Sequence, residues 1–563
     1  MEKVDRLLIL LLSADHFSLL PMPLRFAAII GVFALAYGFL VFHLYQVQLV
    51  KGGYYAARAE SQALALHGSG SVRGAIYFTD VKGNALPAAV NEDMPLIYAV
   101  PKDITDVPEA VNTLSPILGM PAEALTKLLH KANDPYETIM RRADASVAKQ
   151  VESLDLKGIY VDTEPERLYP LGSVAAQLLG YVGPNASGSG QGGHYGVEAE
   201  YDAALAGIGT NQGSFIGSDV TLTIDPNIQI ESEKVLDNLI TENQATGGSV
   251  IVQDPETGKI IAMASSPGFD PNQYQSSSIA SFLNPTVQSV YEPGSIFKVL
   301  TMAAGIDSGA ITPQTTYTDL GTLTINKRTI ENYDFHTHGA WGPGTTMTNV
   351  IEHSINTGAI FAENKTGNAT FLNYMKKFGL DAVTGIDLPG EVAGSLRQLK
   401  PNAPQVAFDT VAYGQGVAVT PIELISAISA IANGGTLMRP YVNAGLTPQT
   451  IRRVISTSTA AQVSAMMISA VDKAGVASIT GYSLAGKTGS AFIPDLVHGG
   501  YTNKLIDSYI GFGPTSHPRF VALIRLNTLP STALAAQSVV PAWRTLAQYI
   551  INYYNVPPDR VTN

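Results

Sequence analysis

Between Arg25 and Lys51 the chain reads RFAAIIGVFALAYGFLVFHLYQVQLVK, and His43 is the only side chain inside that interval able to carry a charge. Phe26–Leu44 is apolar almost throughout and has no polar stripe, so it lacks the wet face of a surface helix. A run of this length, as a helix, crosses the roughly 30 Å hydrocarbon core of a bilayer. Inside that core a single segment can only be helical, because its backbone groups find no other partners. Tyr45 and the flanking Arg25 and Lys51 suit the two interfaces. A cleaved export signal has a shorter apolar centre followed by small residues at alternate positions, and HLYQVQLVKGGYY offers none. The expectation is an uncleaved anchor over 26–48 behind a short cytoplasmic segment, 1–25. Lys3, Arg6 and Arg25 before the span, against Lys51 and Arg58 after it, place the N-terminus inside and the bulk of the chain outside.

The remainder of the 563-residue chain is long enough for two domains. A net charge of −12 argues against a nucleic-acid binder, and the absence of cysteine removes disulfides, thiolate metal sites and cysteine nucleophiles. Over 49–217, a pedestal domain, AIYFTD, PLIYAV and GIYVDT read as strands from their β-branched and aromatic content. DASVAKQVESLDLKG reads as a helix capped near Asp144 or Ser146 and closed by Gly158. Gly188, Gly190 and Gly193 have the spacing of a dinucleotide fingerprint but no strand–turn–helix frame, so a surface loop is expected. Near Ser218 the texture changes. DVTLTIDPNIQIESEKVLDNLI gives a strand, a turn at Asp225–Pro226 and a long helix; GGSVIVQDPETGKIIAMASSP gives two strands joined at Gly258. YSLAGKTGSAF, DSYIGFGP and RFVALIRLN add strands before a last helix, PAWRTLAQYIINYY. The fold class expected for 218–563 is α+β, an antiparallel sheet flanked by helices.

The segment YEPGSIFKVLTMAAG sets Lys298 one helical turn after Ser295, among Ile296, Phe297, Val299 and Leu300. A cation in such surroundings is costly, so its pKa falls and a neutral amine becomes available to take the hydroxyl proton. Pro293–Gly294 places Ser295 at the positive end of a helix, where developing negative charge is stabilised. Ser146 and Lys149 have the same spacing but sit among Arg141, Arg142, Asp144 and Glu152, which reads as a solvated helix start. A proton relay and a strand of backbone donors complete the chemistry. IEHSINTGAIF supplies Ser354 and Asn356; YSLAGKTGSAF supplies Lys487, Thr488, Gly489 and Ser490. Gly489 permits close approach of a substrate, and the amides of Ser295 and Ser490 form an oxyanion hole. The second Lys-Thr-Gly triplet, Lys365–Gly367, follows a helix, where the glycine reads as a C-cap. His336 and His338 lack a third convergent ligand and read as a polar loop.

Ser-x-x-Lys, Ser-x-Asn and Lys-Thr-Gly in this order form the set of penicillin-binding proteins and class A β-lactamases. The chain resembles a class B penicillin-binding protein, a membrane-anchored D,D-transpeptidase of peptidoglycan. ERLYPLGSVAAQLLGYVG and GVEAEYDAALAG look like that family's junction segments; TLTIDPNIQ, YGQGVAVTPIELISAISAIANGG and DSYIGFGP look like segments of its transpeptidase domain. The likeness runs from about Arg73 to Pro514. One departure is RGAIYFTDVKG, which has two extra residues before Asp80 and lacks the second arginine of the family's R-G-x-I-x-D-R-x-G. The resemblance implies that Ser295 attacks the D-Ala–D-Ala carbonyl of a stem peptide, with Lys298 as base. It implies that Ser354 passes a proton to the leaving amine and that Asn356 holds the substrate amide. Lys487 adds positive charge, and Thr488 and Ser490 bind the peptide carboxylate. It implies β-lactams as inhibitors, no metal and no cofactor, and a polytopic glycosyltransferase and other division proteins as membrane partners. EPGS, S-x-N and K-T-G look like the division branch, with the elongation branch as runner-up. A β-lactamase or β-lactam sensor, and a division scaffold that dispenses with catalysis, are the rival readings.

Overall fold

The computed structural model describes residues 73–560 apart from 132–135, 186–189, 208–216, 326–327, 401, 496 and 531–533, together with residues 33 and 37–40. The expected span therefore lies almost wholly outside the described residues; among these, no helix is long and apolar enough to cross a membrane.

In the pedestal, β1 (Ile76–Thr79), β2 (Ala85–Ala99), β3 (Glu137–Met140) and β4 (Ile159–Leu168) are organised by the long β2, which pairs antiparallel with all three others. Three helices within 107–153 bury Leu114, Leu125 and Val151 against Ile97 of β2. The last of these, Ala145–Ser153, ends earlier than expected: its C-cap is Leu154, not Gly158. Leu154 and Leu156 turn into the apolar cluster instead of continuing the helix. Gly158 serves the entry to β4, where φ is +86° and a Cβ would lie 2.6 Å from the Ile104 side chain. The glycine-rich segment is also corrected. Gln191–His194 pairs antiparallel with Tyr181–Pro184, and Gly193 lies so close to the Glu198 carbonyl that no side chain fits. Backbone proximity, not phosphate binding, accounts for a glycine there.

β5 (Val220–Thr221) runs parallel to β1, so the chain entering the second half stays tied to the pedestal sheet. Side chains reinforce the junction. Glu198, fully buried, accepts from Arg73 Nε at 2.8 Å and Arg167 Nε at 2.7 Å, and Arg73 also reaches Asp202 at 2.7 Å. Tyr169, two residues after Arg167, exchanges backbone–side-chain hydrogen bonds with Asn272 of the second half at 3.0 Å each.

The second half begins with helix α1 (Pro226–Asn243), capped by the Asp225 carboxylate on the amides of Asn227 and Ile228. Strands β6 (Gly247–Gln253) and β7 (Ile260–Ser266) meet at the Gly258 turn, φ +84°. Helices α2 (Phe297–Asp307), α3 (Asn356–Thr366), α4 (Pro421–Ala432) and α5 (Thr457–Ala474) come next, then β8 (Ala485–Pro494), β9 (Tyr501–Gly513), β10 (Phe520–Pro530) and α6 (Val539–Tyr553). The sheet is five-stranded and antiparallel in the order β8-β9-β10-β6-β7. Alternation along each strand divides its residues between two cores. Val250 and Val252 of β6 join Leu236 of α1 and Trp543 of α6, whereas Ile251 between them joins the cluster of Phe297 and Leu300 of α2. β8 is an edge strand, and its open side faces the start of α2.

Candidate active site

The approach to Ser295 is pinned from three directions. Tyr291 exchanges backbone hydrogen bonds with Val419, at 2.9 and 3.0 Å, and Glu292 accepts from the Gly416 amide at 3.0 Å. The Gly294 amide donates to the Gly414 carbonyl at 3.1 Å. Gly294 has φ +56°, and a Cβ on it would stand 2.5 Å from the Ser490 carbonyl oxygen. Only glycine lets the turn and β8 approach this closely. Ser295, half-buried, occupies a 3-10 turn, Gly294–Ile296, that runs directly into α2, which sets its hydroxyl at the positive end of the helix.

Lys298 has no solvent exposure, and neither do Ile296, Phe297, Val299 and Leu300 around it. Its Nζ is directed to Ser354, donating to the carbonyl and, at 3.3 Å, to Oγ, rather than to Ser295. Burial, and secondly the nearby Lys487 ammonium, push its pKa well below the ordinary lysine value; Asp334 opposes the shift more weakly. Both effects favour the uncharged amine over the ammonium.

Ser354 occupies a left-handed position, φ +57°, just before α3. Its Oγ receives Lys487 Nζ at 3.0 Å as well as Lys298, so the structure brings these three into one hydrogen-bonded chain. A pair of residues not singled out in the sequence fixes this turn. Asn332 Oδ1 accepts from the amides of Asn356 and Thr357, at 3.0 and 3.1 Å, which caps α3 from a distant loop. Asn332 Nδ2 donates to the buried Asp319, as does the Thr357 hydroxyl. Asn356 differs from expectation in one respect: its Nδ2 donates to the Glu331 carbonyl at 2.8 Å, leaving Oδ1 as the atom that can meet a substrate N–H.

On β8, Lys487 is 4 % exposed, and burial lowers its pKa to about 7. Its Nζ also donates to Thr488 Oγ1 at 3.1 Å, which leaves the threonine hydroxyl proton for a carboxylate. Ser490, expected to bind the peptide carboxylate, has its hydroxyl engaged within the sheet. Its hydroxyl donates to the buried Asp507 at 2.5 Å, because Asp507 is its cross-strand neighbour on β9 and has few other donors. What Ser490 presents to the site is its backbone, whose nitrogen lies 3.2 Å from the position of a Gly294 Cβ. The decoys stand apart from this cluster. Ser146 and Lys149 are exposed on a pedestal helix, and Gly367 caps the C-terminus of α3. His338 stacks on Trp341, centroids 3.8 Å apart, and Trp341 stacks in turn on His353 at 3.7 Å.

Comparison with known proteins places the chain in a family. The family model for the penicillin-binding protein transpeptidase domain matches residues 248–542, and that for the penicillin-binding protein dimerisation domain matches 69–214. Stage V sporulation protein D of Bacillus subtilis is 31% identical over 488 residues, covering 80% of this chain and 74% of its own. Peptidoglycan D,D-transpeptidase FtsI of Escherichia coli is 26% identical, covering 96% and 93%. The crystal structure of a peptidoglycan synthetase from Bifidobacterium adolescentis superposes with a TM-score of 0.63 at 26% identity, covering 88% of this chain and 97% of that one. With a dimerisation domain ahead of a transpeptidase domain and a serine–lysine pair at the start of α2, the chain belongs to the class B penicillin-binding proteins.

Proposed function

We propose that this protein is a membrane-anchored peptidoglycan D,D-transpeptidase working through an acyl-enzyme on Ser295. The observation that carries the reading is the buried Lys298–Ser354–Lys487 chain beside the helix start that bears Ser295. Ser295 Oγ attacks the carbonyl of the penultimate D-alanine of a stem peptide, and its proton passes to the neutral Lys298 amine. The amides of Ser295 and Ser490 receive the oxyanion. Ser354, in contact with both lysines, hands a proton to the departing D-alanine amine, and the C–N bond breaks. The amine of a neighbouring stem peptide then attacks the ester, loses a proton to the same relay and restores the hydroxyl. Asn356 Oδ1 and Thr488 Oγ1 hold the donor peptide's amide and carboxylate. β-Lactams acylate the same serine.

Ser295→Ala is expected to abolish labelling by fluorescent penicillin, whereas Ser146→Ala leaves it intact; labelling that survives the first change sinks the assignment. Turnover separates the β-lactamase reading: stoichiometric acylation by a chromogenic cephalosporin favours the transpeptidase, rapid hydrolysis the lactamase. Full rescue of growth by Ser295→Ala would favour a scaffold.

The apolar run at 26–48 supports a single-pass anchor in the inner or plasma membrane with the catalytic part outside, alongside a polytopic glycosyltransferase. EPGS, S-x-N, K-T-G and the likeness to FtsI support work at the division septum. The 31% identity to a protein named for sporulation favours a second reading, wall synthesis during spore formation. A fluorescent fusion decides between them: septal signal in growing cells supports the first, signal confined to sporulating cells the second.

A further inference from the structure

A cavity of about 1090 Å³ is lined in part by Val290, Tyr291 and Glu292, and none of Ser295, Lys298, Ser354, Asn356 or Lys487 lines it. Its walls include Val290, Val417 and Ile506, and at its inner end is Arg525 of β10. That guanidinium is 7 % exposed and has no salt bridge to any described carboxylate; its Nε has no hydrogen bond, and it stacks over the Tyr291 ring, 4.5 Å from the centroid. A buried cation is ordinarily paired, since the desolvation penalty is otherwise uncompensated.

The orphaned groups gather here. Of the eleven buried side-chain polar atoms without a well-formed hydrogen bond among the described residues, four belong to residues lining this one cavity: Tyr291 Oη, which still interacts with Ser508, and Gln398 Nε2, Arg525 Nε and Asn527 Oδ1. Three of those four are donors, which matches an acceptor-rich guest. Arg397 and Lys400 on the lining add two exposed cations. The one lining carboxylate, Glu292, has an oxygen engaged by the Gly416 amide and the Tyr501 hydroxyl, at 3.0 and 3.2 Å. The balance of charge is therefore positive, the walls are largely apolar, and the anchoring group is a planar fork suited to two oxygens.

We propose that this cavity is a second binding site, for a carboxylate with an apolar body, whose charged end pairs with Arg525 and whose body lies along Val290, Val417 and Ile506. Such a ligand would touch the strand that leads through Glu292 and Pro293 to Ser295, so it is placed to alter the serine turn without occupying the catalytic groups.

Titration calorimetry on the full-length protein in nonionic detergent tests this with three probes: 4-phenylbutyrate, its uncharged amide 4-phenylbutyramide, and inorganic phosphate. The carboxylate is expected to give a saturable isotherm, with the amide and phosphate weaker by about tenfold or more, the worth of one charge-assisted hydrogen bond. Arg525→Met should erase the preference for carboxylate over amide while keeping or raising the melting temperature, since an unpaired buried charge is removed. Val290→Trp, at an exposed wall position, should weaken the carboxylate by obstruction and leave the guanidinium in place; it decides the matter should the first variant not fold. Equal affinity for carboxylate and amide, tighter binding of phosphate, or an isotherm unaltered by the substitutions overturns the proposal.

Discussion

Two amines converge on one hydroxyl at Ser354, and among the described residues neither has a carboxylate at hydrogen-bond distance. Burial pushes both lysines down, and their mutual repulsion penalises the doubly charged state, so the pair holds at most one proton comfortably near neutrality. Lys487 adds to the burial that disfavours charge on Lys298, which suits Lys298 to the base and Lys487 to the charge. As pH rises through about 7, Lys487 gives up that charge, and acylation should decline on this alkaline limb. Lys487→Arg keeps its proton throughout. The expected outcome is an alkaline limb moved upward by about a unit or more, read from second-order penicillin acylation rates across pH. Asn332 calls for a different test, because it acts through the backbone it caps. Asn332→Ala strips the Asn356 and Thr357 amides of their acceptor, at a cost of about 1–3 kcal/mol. Acylation should slow roughly 10-fold to 100-fold in its chemical step, while the non-covalent affinity for penicillin changes little. Lys298 could be read from its apolar neighbours, which advertise burial. Asn332 and Asp319 could not, since a lone amide in a loop and a lone acid at the end of a short strand look like ordinary surface polarity until the chain folds back on α3.

At the scale of elements, the site is an edge strand pressed against a helix start. β8 can come this close because its central position has no side chain: a Cβ on Gly489 would lie 2.5 Å from the Pro293 carbonyl and 2.7 Å from Ser508 Oγ. Gly489→Ala must therefore push β8 off the serine turn, and overpacking of this kind costs about 1–3 kcal/mol. Penicillin acylation should fall about 100-fold or more, because the Ser490 amide moves away from the oxyanion while Lys298 and Ser354 stay in place. A slowed rate with an unchanged melting temperature would contradict the packing argument. The strands themselves were legible in the sequence: alternation and β-branched content marked β6, β7, β9 and β10, and Asp225–Pro226 marked the start of α1. Two local readings failed for one physical reason. The helix at 145–153 and the hairpin strand at 191–194 are ended or formed by distant partners, Ile104 and the apolar cluster in one case, Tyr181–Pro184 and Glu198 in the other. Neither partner is visible in a local window.

For the whole molecule, the question is what couples the pedestal to the transpeptidase half, since residues 72–185 and 191–563 form one contact unit. Segments far apart in the chain answer it. Arg73 opens the pedestal, Arg167 lies near the end of β4, and Glu198 and Asp202 lie between β4 and β5, yet their charges meet at 2.6–2.8 Å. Two of these stretches, ERLYP and GVEAEYD, were plainly like family junctions, while RGAIYF belongs to the segment that departs from the family's pattern, and the cause of the junction was hidden. The cause is a carboxylate with no exposure serving two guanidiniums, one of them 5 % exposed with an Nη2 that finds no partner of its own. A buried pair of this kind adds little net stability when intact, but breaking one side of it costs about 3–5 kcal/mol. Glu198→Ala should therefore lower the guanidinium chloride midpoint strongly, because Arg167 stays buried without its counter-charge. The double variant Arg167→Met, Glu198→Met removes both charges at similar volume and should regain much of that loss, with Arg73 still held by Asp202. If the double variant is no more stable than Glu198→Ala, the cluster acts by shape rather than by charge, and the junction is held by β1–β5 pairing and the Tyr169–Asn272 bonds instead.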